Sequence, residues 1–505
     1  MTAVTRRHFV AGAGAAVVAA GCASNGESET LLSGKPPAEA GEVELIELAS
    51  NESIIPEFTP ISEMPVADEG EVHVAYAPDV PPPIARSDQR VIEISLDVIE
   101  GVCPLDPAND VSTLMWGYRV TGDDDIVCGS PGPVVRGRVG DLARITMHNL
   151  AGNQHPHNID FHAVTGQGGG AADLLANPGE TKVIEARLLY PGAFMYHCAA
   201  GDVPELIAKG MYGMFIVDPA EPLPEVDHEW SIMQSEWYVG APDEGGEAEF
   251  DREALFAEEP RYVTFNGRTD ALADANALQM NVGERARFYM VNEGLNLDSN
   301  FHPIGSHWDT VYPEAATHAS NRVIRGSQST LVVAGGGTVV ELIGQVPSTL
   351  ILVDHALVRT FYKGAIGQVV ISGDANPEIF GVGASEAGAA PPPTSEPAAV
   401  EAPTGPDQVT ITDGAFDPAN ADDAYSPREL TVAAGTEVTW TNADAVVHTV
   451  TAGDSDGRVG TPSGLFESGD MEQGDTFSFT FDEPGTYPYY CIPHPWMTGT
   501  VIVEG

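Results

Sequence analysis

From Val91 onward, apolar and polar positions alternate in short runs such as VIEISLDVI and ARITMHNL. A period of two places every second side chain on one face, so these runs predict strands with a single buried side. Gly, Pro and Asp turns separate them, and that spacing predicts an all-β sandwich over 86–220. RARFYMVN, STLVVAGGGTVVELIG and GQVVISG carry the same pattern through 221–373. LTVAAGTEVTWTN, TFSFTF and GTVIVEG repeat it over 407–505. Between the second and third blocks, 374–406 is dominated by Ala, Pro and Glu, too poor in large apolar residues to build a core. Three sandwich domains with one semi-extended linker are therefore expected.

The N-terminal end has a different character. Arg6 and Arg7 precede a mild Ala/Gly-rich run that ends in Ala-Ala-Gly-Cys22. The run is too short and too weakly apolar for a spanning helix. It resembles a twin-arginine export signal over 1–21 with a lipoprotein cleavage site before Cys22. That implies lipid attachment at Cys22 and a place on the extracytoplasmic face of the cell membrane. The Glu-, Pro- and Ser-rich stretch 22–85 reads as a tether.

Charge narrows the partners. With 74 acidic against 23 basic residues the formal charge is −51, yet 43% of the 505 residues are hydrophobic. Such a chain has a normal core under an acidic surface, which suits a halophilic source where salt screens self-repulsion. Nucleic acid is disfavoured as a partner, because phosphate binding needs clustered basic residues. Of the five cysteines, Cys103 and Cys128 lie in strand-and-turn sequence. Outside the cytoplasm they can form a disulfide or stay as two buried thiols, and spacing alone does not decide.

Chemistry concentrates in two segments, QHPHNIDFHAVTG and GAFMYHCAAGDVPELIAKGMYG. Extended backbone puts Asp160 and His162 on one face and His157 on the other. The same rule separates His197 from Cys198. One strand pair can thus serve two metals, an imidazole set on one side and a thiolate set with His157, Cys198 and Met211 on the other. Imidazole, thiolate and a weak thioether select copper for electron transfer, whereas imidazoles with an open position suit a catalytic metal.

HNIDFH, the Tyr-His-Cys triplet, HPIGSHWD and VDHALVRTF follow one another in the order and approximate spacing of copper-containing nitrite reductases, and the chain resembles that family over about residues 90–373. The resemblance implies cupredoxin-like Greek-key domains and reduction of nitrite to nitric oxide. It implies a type 2 copper on His162, His197 and His355, the last supplied by a neighbouring subunit of a homotrimer. Asp160 and His307 match the proton-handling pair, and His157, Cys198 and Met211 match three ligands of a type 1 copper. His155 and His302 match no ligand position and read as structural. The family carries a His five residues before the type 1 Met, where this chain has Leu206, so a weakened type 1 site is expected. Glu205 beside it is a hard donor and a poor substitute.

The last block holds His448, Cys491, His494 and Met497, with Cys-x2-His-x2-Met on one loop. This is a complete blue-copper set, and 407–505 resembles the small cupredoxins, halocyanin and amicyanin among them. Tyr490 stands before Cys491 where His197 stands before Cys198, so no second metal can hang from that strand. The domain is expected to relay electrons from an unidentified donor protein, a cupredoxin or a cytochrome. A non-enzymatic copper carrier with a decayed core is the main alternative. A multicopper oxidase fits less well, because Cys198 is followed by Ala199 and only HPH at 155–157 has the paired-His form.

Overall fold

The structure is a computed structural model that describes residues 53–381, 405–416, 420–457 and 459–505. The export signal 1–21, Cys22 and the linker from 382 to 404 lie outside the described residues. The fold is all-β, in three cupredoxin-type sandwiches. In the first, one sheet orders Val111–Val120, Val91–Asp106, Leu142–Asn149 and Thr181–Arg187. The other orders Val74–Ala75, Val134–Arg138, Tyr212–Asp218, Gly192–His197 and Asp160–Phe161. Val91–Asp106 runs parallel to Leu142–Asn149, and Val134–Arg138 parallel to Tyr212–Asp218. Parallel neighbours need connections that cross between layers, which gives the Greek-key wiring.

The alternation read from the sequence is what closes this core. Ile92, Ile94, Leu96 and Val98 share a cluster with Ile145, Met147, Phe161, Tyr196 and Phe215, drawn from both sheets. The second domain repeats the plan with a six-stranded and a five-stranded sheet, and the third with a four-stranded and a five-stranded sheet. Trp440 sits at the centre of the third core, against Phe466, Phe477, Phe481 and Tyr489. No helix among the described residues is long and apolar enough to cross a membrane.

One expectation changes and one open choice closes. The tether 22–85 is not free over its described part. Val74–Ala75 pairs with Val134 and Val135 as an edge strand, Ile84 is buried, and Met64 packs on Val91 and Leu142. Those anchors are too sparse and irregular to give a period, so composition alone made the stretch look unstructured. Cys103 and Cys128 form a disulfide, with their Cα atoms 5.8 Å apart. It links the strand Val91–Asp106 to the 121–133 connection.

The first two domains share an apolar seam in which Val134, Tyr212, Met214 and Ile216 meet Met233, Tyr289, Val291 and Val339. A buried ionic chain runs beside it. Arg136, 1% exposed, pairs with Asp218 at 2.8 Å and with Glu229 at 2.6 Å, and Arg287 joins Glu229 to Glu341. Every charge in that chain has an opposite partner, which is the condition for tolerating ions away from water. Glu293 has none. It is fully buried, neither carboxyl oxygen has a partner among the described residues, and burial pushes its carboxyl well above the usual range. The folded protein therefore holds a proton there that the unfolded chain releases above the ordinary carboxylate pKa, so stability falls as pH rises through that point. Glu293→Gln is expected to raise Tm at neutral pH. The gain over the parent protein should grow between pH 5 and pH 8 in thermal melts.

Candidate metal centres

The strand Gly192–His197 carries both chemistries of the first domain. Asp160 pairs with His197 across the adjoining short strand, and His162 N–H donates to Met195 O at 3.1 Å. These contacts bring Asp160, His162 and His197 into one group whose ligand atoms lie within 4.8 Å of one another. The two Nε2 atoms of His162 and His197 are 3.2 Å apart. His197 Nδ1–H donates to Cys198 O at 3.1 Å, which leaves its Nε2 as a lone pair. His162 stands at an open edge of this group, and partial desolvation together with the neighbouring His197 lowers its imidazole pKa against the pull of Asp160. His197 Nε2 thus turns a lone pair towards His162, and two neutral imidazoles meeting beside Asp160 fit a metal site with neutral imidazole ligands.

Cys198 turns the other way, as the parity of the strand predicts. Its Sγ lies 3.7 Å from His157 Nδ1, and Cys198 N–H donates to Met211 O at 3.1 Å. His157, Cys198 and Met211 are all fully buried. His157 Nε2 meets Glu100 at 3.0 Å, so the Nδ1 lone pair is aimed at the sulfur. His155 also bonds Glu100, at 3.2 Å, and packs on Trp116, which accounts for the His155–His157–Glu100 group as an orienting shell. Leu206, in the helix Val203–Ala208, is 6% exposed and belongs to the same apolar cluster as Cys198 and Met211. Glu205 does not stand in for the missing imidazole, because its carboxylate is taken by Lys209 at 2.9 Å and by Arg252. The structure brings one imidazole to the Cys198 sulfur, with Met211 in the same cluster and Leu206 where the resemblance implies a second imidazole.

The third domain completes what the first lacks. Cys491 Sγ is 3.7 Å from His448 Nδ1 and 3.5 Å from His494 Nδ1, and the two Nδ1 atoms are 3.0 Å apart. Met497 is fully buried in the same core cluster. Asp444 takes His448 Nε2 at 2.9 Å, just as Glu100 takes His157 Nε2. Burial and the neighbouring His448 lower the His494 pKa to about 4, so the ring is neutral at pH 7. Burial pushes the Cys491 thiol up, which keeps it protonated until a metal displaces the proton. Two imidazoles and a thiolate converge here, and with Met497 buried in the same cluster the set fits a type 1 copper.

His355 is not with His162 and His197 in the single chain. It is exposed, ahead of the helix Leu357–Lys363, and its ring centroid lies 5.3 Å from that of His302. His302 Nδ1–H donates to Gln328 O at 2.5 Å, which leaves Nε2 as the lone pair of that ring. His307 instead lines a small cavity with Ser306, Asp309, Gly326, Ile343 and Gln345. The imidazole that the structure places beside His355 is that of His302, while His307 stands at this separate cavity. The two differ by five residues and an intervening turn, which a motif match did not resolve. Along the strand Ser299–Ile304, His302 is held out of the core while Phe301 and Pro303 point in.

Three Greek-key sandwiches, with one imidazole-only and two thiolate-containing pockets, define a cupredoxin-type copper protein. A family model described as "Copper binding proteins, plastocyanin/azurin family" matches residues 414–504. The copper-containing nitrite reductase of Neisseria meningitidis serogroup B (strain ATCC BAA-335 / MC58) is 40% identical over 322 residues, covering 64% of this chain and 78% of that protein. The Neisseria gonorrhoeae enzyme of the same name is 40% identical over 319 residues, covering 63% and 77%. Among solved structures, copper nitrite reductase from Nitrosomonas europaea is 34% identical, covers 57% of this chain and 96% of that one, and has a TM-score of 0.49. The chain belongs to the copper-containing nitrite reductase family.

Proposed function

We propose that the protein reduces nitrite to nitric oxide and water, using a copper held by His162 and His197 of one copy and His355 of a second. The balance is one nitrite, one electron and two protons in, one nitric oxide and one water out. Copper there supplies the electron and an open Lewis-acidic position for the anion. The chain supplies the rest. Asp160 lies in the same group as the two imidazoles and can pass a proton to the departing oxygen. His302 Nε2, left open because Nδ1 is tied to Gln328, can hold the second proton once the His302–His355 pair of the second copy meets His162 and His197.

The observation that carries this reading is the facing pair His162 Nε2 and His197 Nε2 beside Asp160. The incomplete set supports assembly from more than one copy. His355 stands exposed next to Leu357, Val358 and Phe361, which are 42%, 62% and 58% exposed. An apolar patch around a bare imidazole is what a subunit contact covers, and a homotrimer closes such contacts by rotation. Among the described residues the third domain has a blue-copper set and no second cluster of metal-ligating side chains beside it, so we assign it the role of electron relay.

Copper-loaded protein given nitrite and a small reductant without oxygen should release nitric oxide, read at an electrode, in proportion to nitrite consumed. Full copper content with no nitric oxide would support the alternative that Leu206 favours, a carrier whose reductase site has decayed.

A further inference from the structure

The third domain rests on the second through contacts that bracket one copper ligand. Tyr362 Oη donates to Pro493 O at 3.4 Å, one residue before His494. Arg261 forms an ion pair with Asp456, and the adjacent Ser455 Oγ donates to Pro495 O at 2.6 Å, one residue after His494. His494 is partly exposed, whereas His448 is fully buried, so His494 is the ligand presented at this contact.

On the core side the contact leads towards His355. Tyr362 lies in the last turn of the helix Leu357–Lys363. Two residues back, Thr360 is 1% exposed and donates its hydroxyl to Asp354 O, the carbonyl of the peptide bond to His355. The corner is firmly held: Asp354 is fully buried and pairs with Arg359 at 3.0 Å, and His355 N–H donates to Asn300 O at 2.9 Å. The other route open to an electron, through Cys198 to its chain neighbour His197, passes the pocket where Leu206 stands in place of an imidazole. The side chains above that pocket, Glu205, Lys209 and Arg252, are engaged with one another.

We propose that the third domain feeds the nitrite site through this contact, by way of His494, Pro493, Tyr362, Thr360, Asp354 and His355, and so bypasses the Cys198 pocket. The inference rests on the reading above, in which the third domain is the donor and His355 completes the site. One electron leaves the copper of the third domain and one arrives at the nitrite site, with no covalent bond made or broken. Since His355 belongs to a site in a second copy, each third domain serves its neighbour.

The test uses the full copper-loaded chain. The third-domain copper is reduced, nitrite is added without oxygen, and the return of the blue absorbance is timed. Tyr362→Phe removes one hydrogen bond at constant shape, and Arg261→Glu reverses one charge. Each should slow the return about tenfold or more, the effect of losing roughly 1.4 kcal/mol at the barrier. Arg261→Glu with Asp456→Arg should recover most of the rate. Turnover with a small reductant that reaches the nitrite site directly should not change. Parent-like return in both single variants would overturn the proposal, as would slowing by Arg252→Glu, which alters the surface over Cys198. Failure of the parent protein to make nitric oxide with the small reductant would instead overturn the function proposed above.

Discussion

Replacing His355 with alanine is expected to lower nitrite turnover by more than about a hundredfold, since even partners that only orient a metal ligand are worth about ten- to a hundredfold. The fold should survive. His355 is exposed, and its structural bond is made by its main-chain N–H, which alanine keeps. Exposed substitutions of that kind usually change stability by about 0.5 kcal/mol or less. Visible absorbance should survive too, because the third-domain set of His448, Cys491, His494 and Met497 is separate. Metal analysis should show the loss of about one copper per chain with the blue band unchanged. A variant that retains that copper and its turnover would show that His355 is no ligand.

Replacing Leu206 with histidine is expected to add a second blue chromophore. The side chain at 206 already lies in the cluster that contains Cys198 and Met211, and Glu100 already aims His157 Nδ1 at the sulfur. One more imidazole gives the same donor set that converges in the third domain. Absorbance per chain should roughly double and bound copper should rise by about one, as expected for a completed thiolate, thioether and two-imidazole site. Without metal the variant should be less stable by about 1–3 kcal/mol, the cost of burying an unpaired polar group, and copper should restore it. An unchanged spectrum with full copper elsewhere would mean that the backbone of the helix Val203–Ala208 does not direct position 206 at the metal.

The sequence reveals what depends on period and adjacency. Alternation located the three sandwiches, and the parity of an extended chain sent Asp160, His162 and His197 one way and His157 and Cys198 the other. The compact loop Cys491–Met497 was legible because all but one of its donors are close neighbours. What depends on contacts between distant segments was not legible. Sulfur spacing could not show that Cys103 meets Cys128. Isolated anchors such as Met64 and Ile84 could not show that the stretch before Val91 lies along the first domain. The choice between His302 and His307 needed the ring of His355 in place, and the role of Glu100 needed the strand Val91–Asp106 beside His157. The contact between Tyr362 and Pro493 joins two domains across a linker and leaves no trace in either segment.

Subunit mixing tests the shared site most directly. Chains carrying His162→Ala and chains carrying His355→Ala are each expected to be inactive, and are unfolded or dissociated together and reassembled. If the nitrite site is built from His162 and His197 of one copy and His355 of another, some mixed contacts pair two intact halves, and a fraction of parental turnover returns. If both halves belong to one chain, every site keeps a defect, and the mixture stays as inactive as its components.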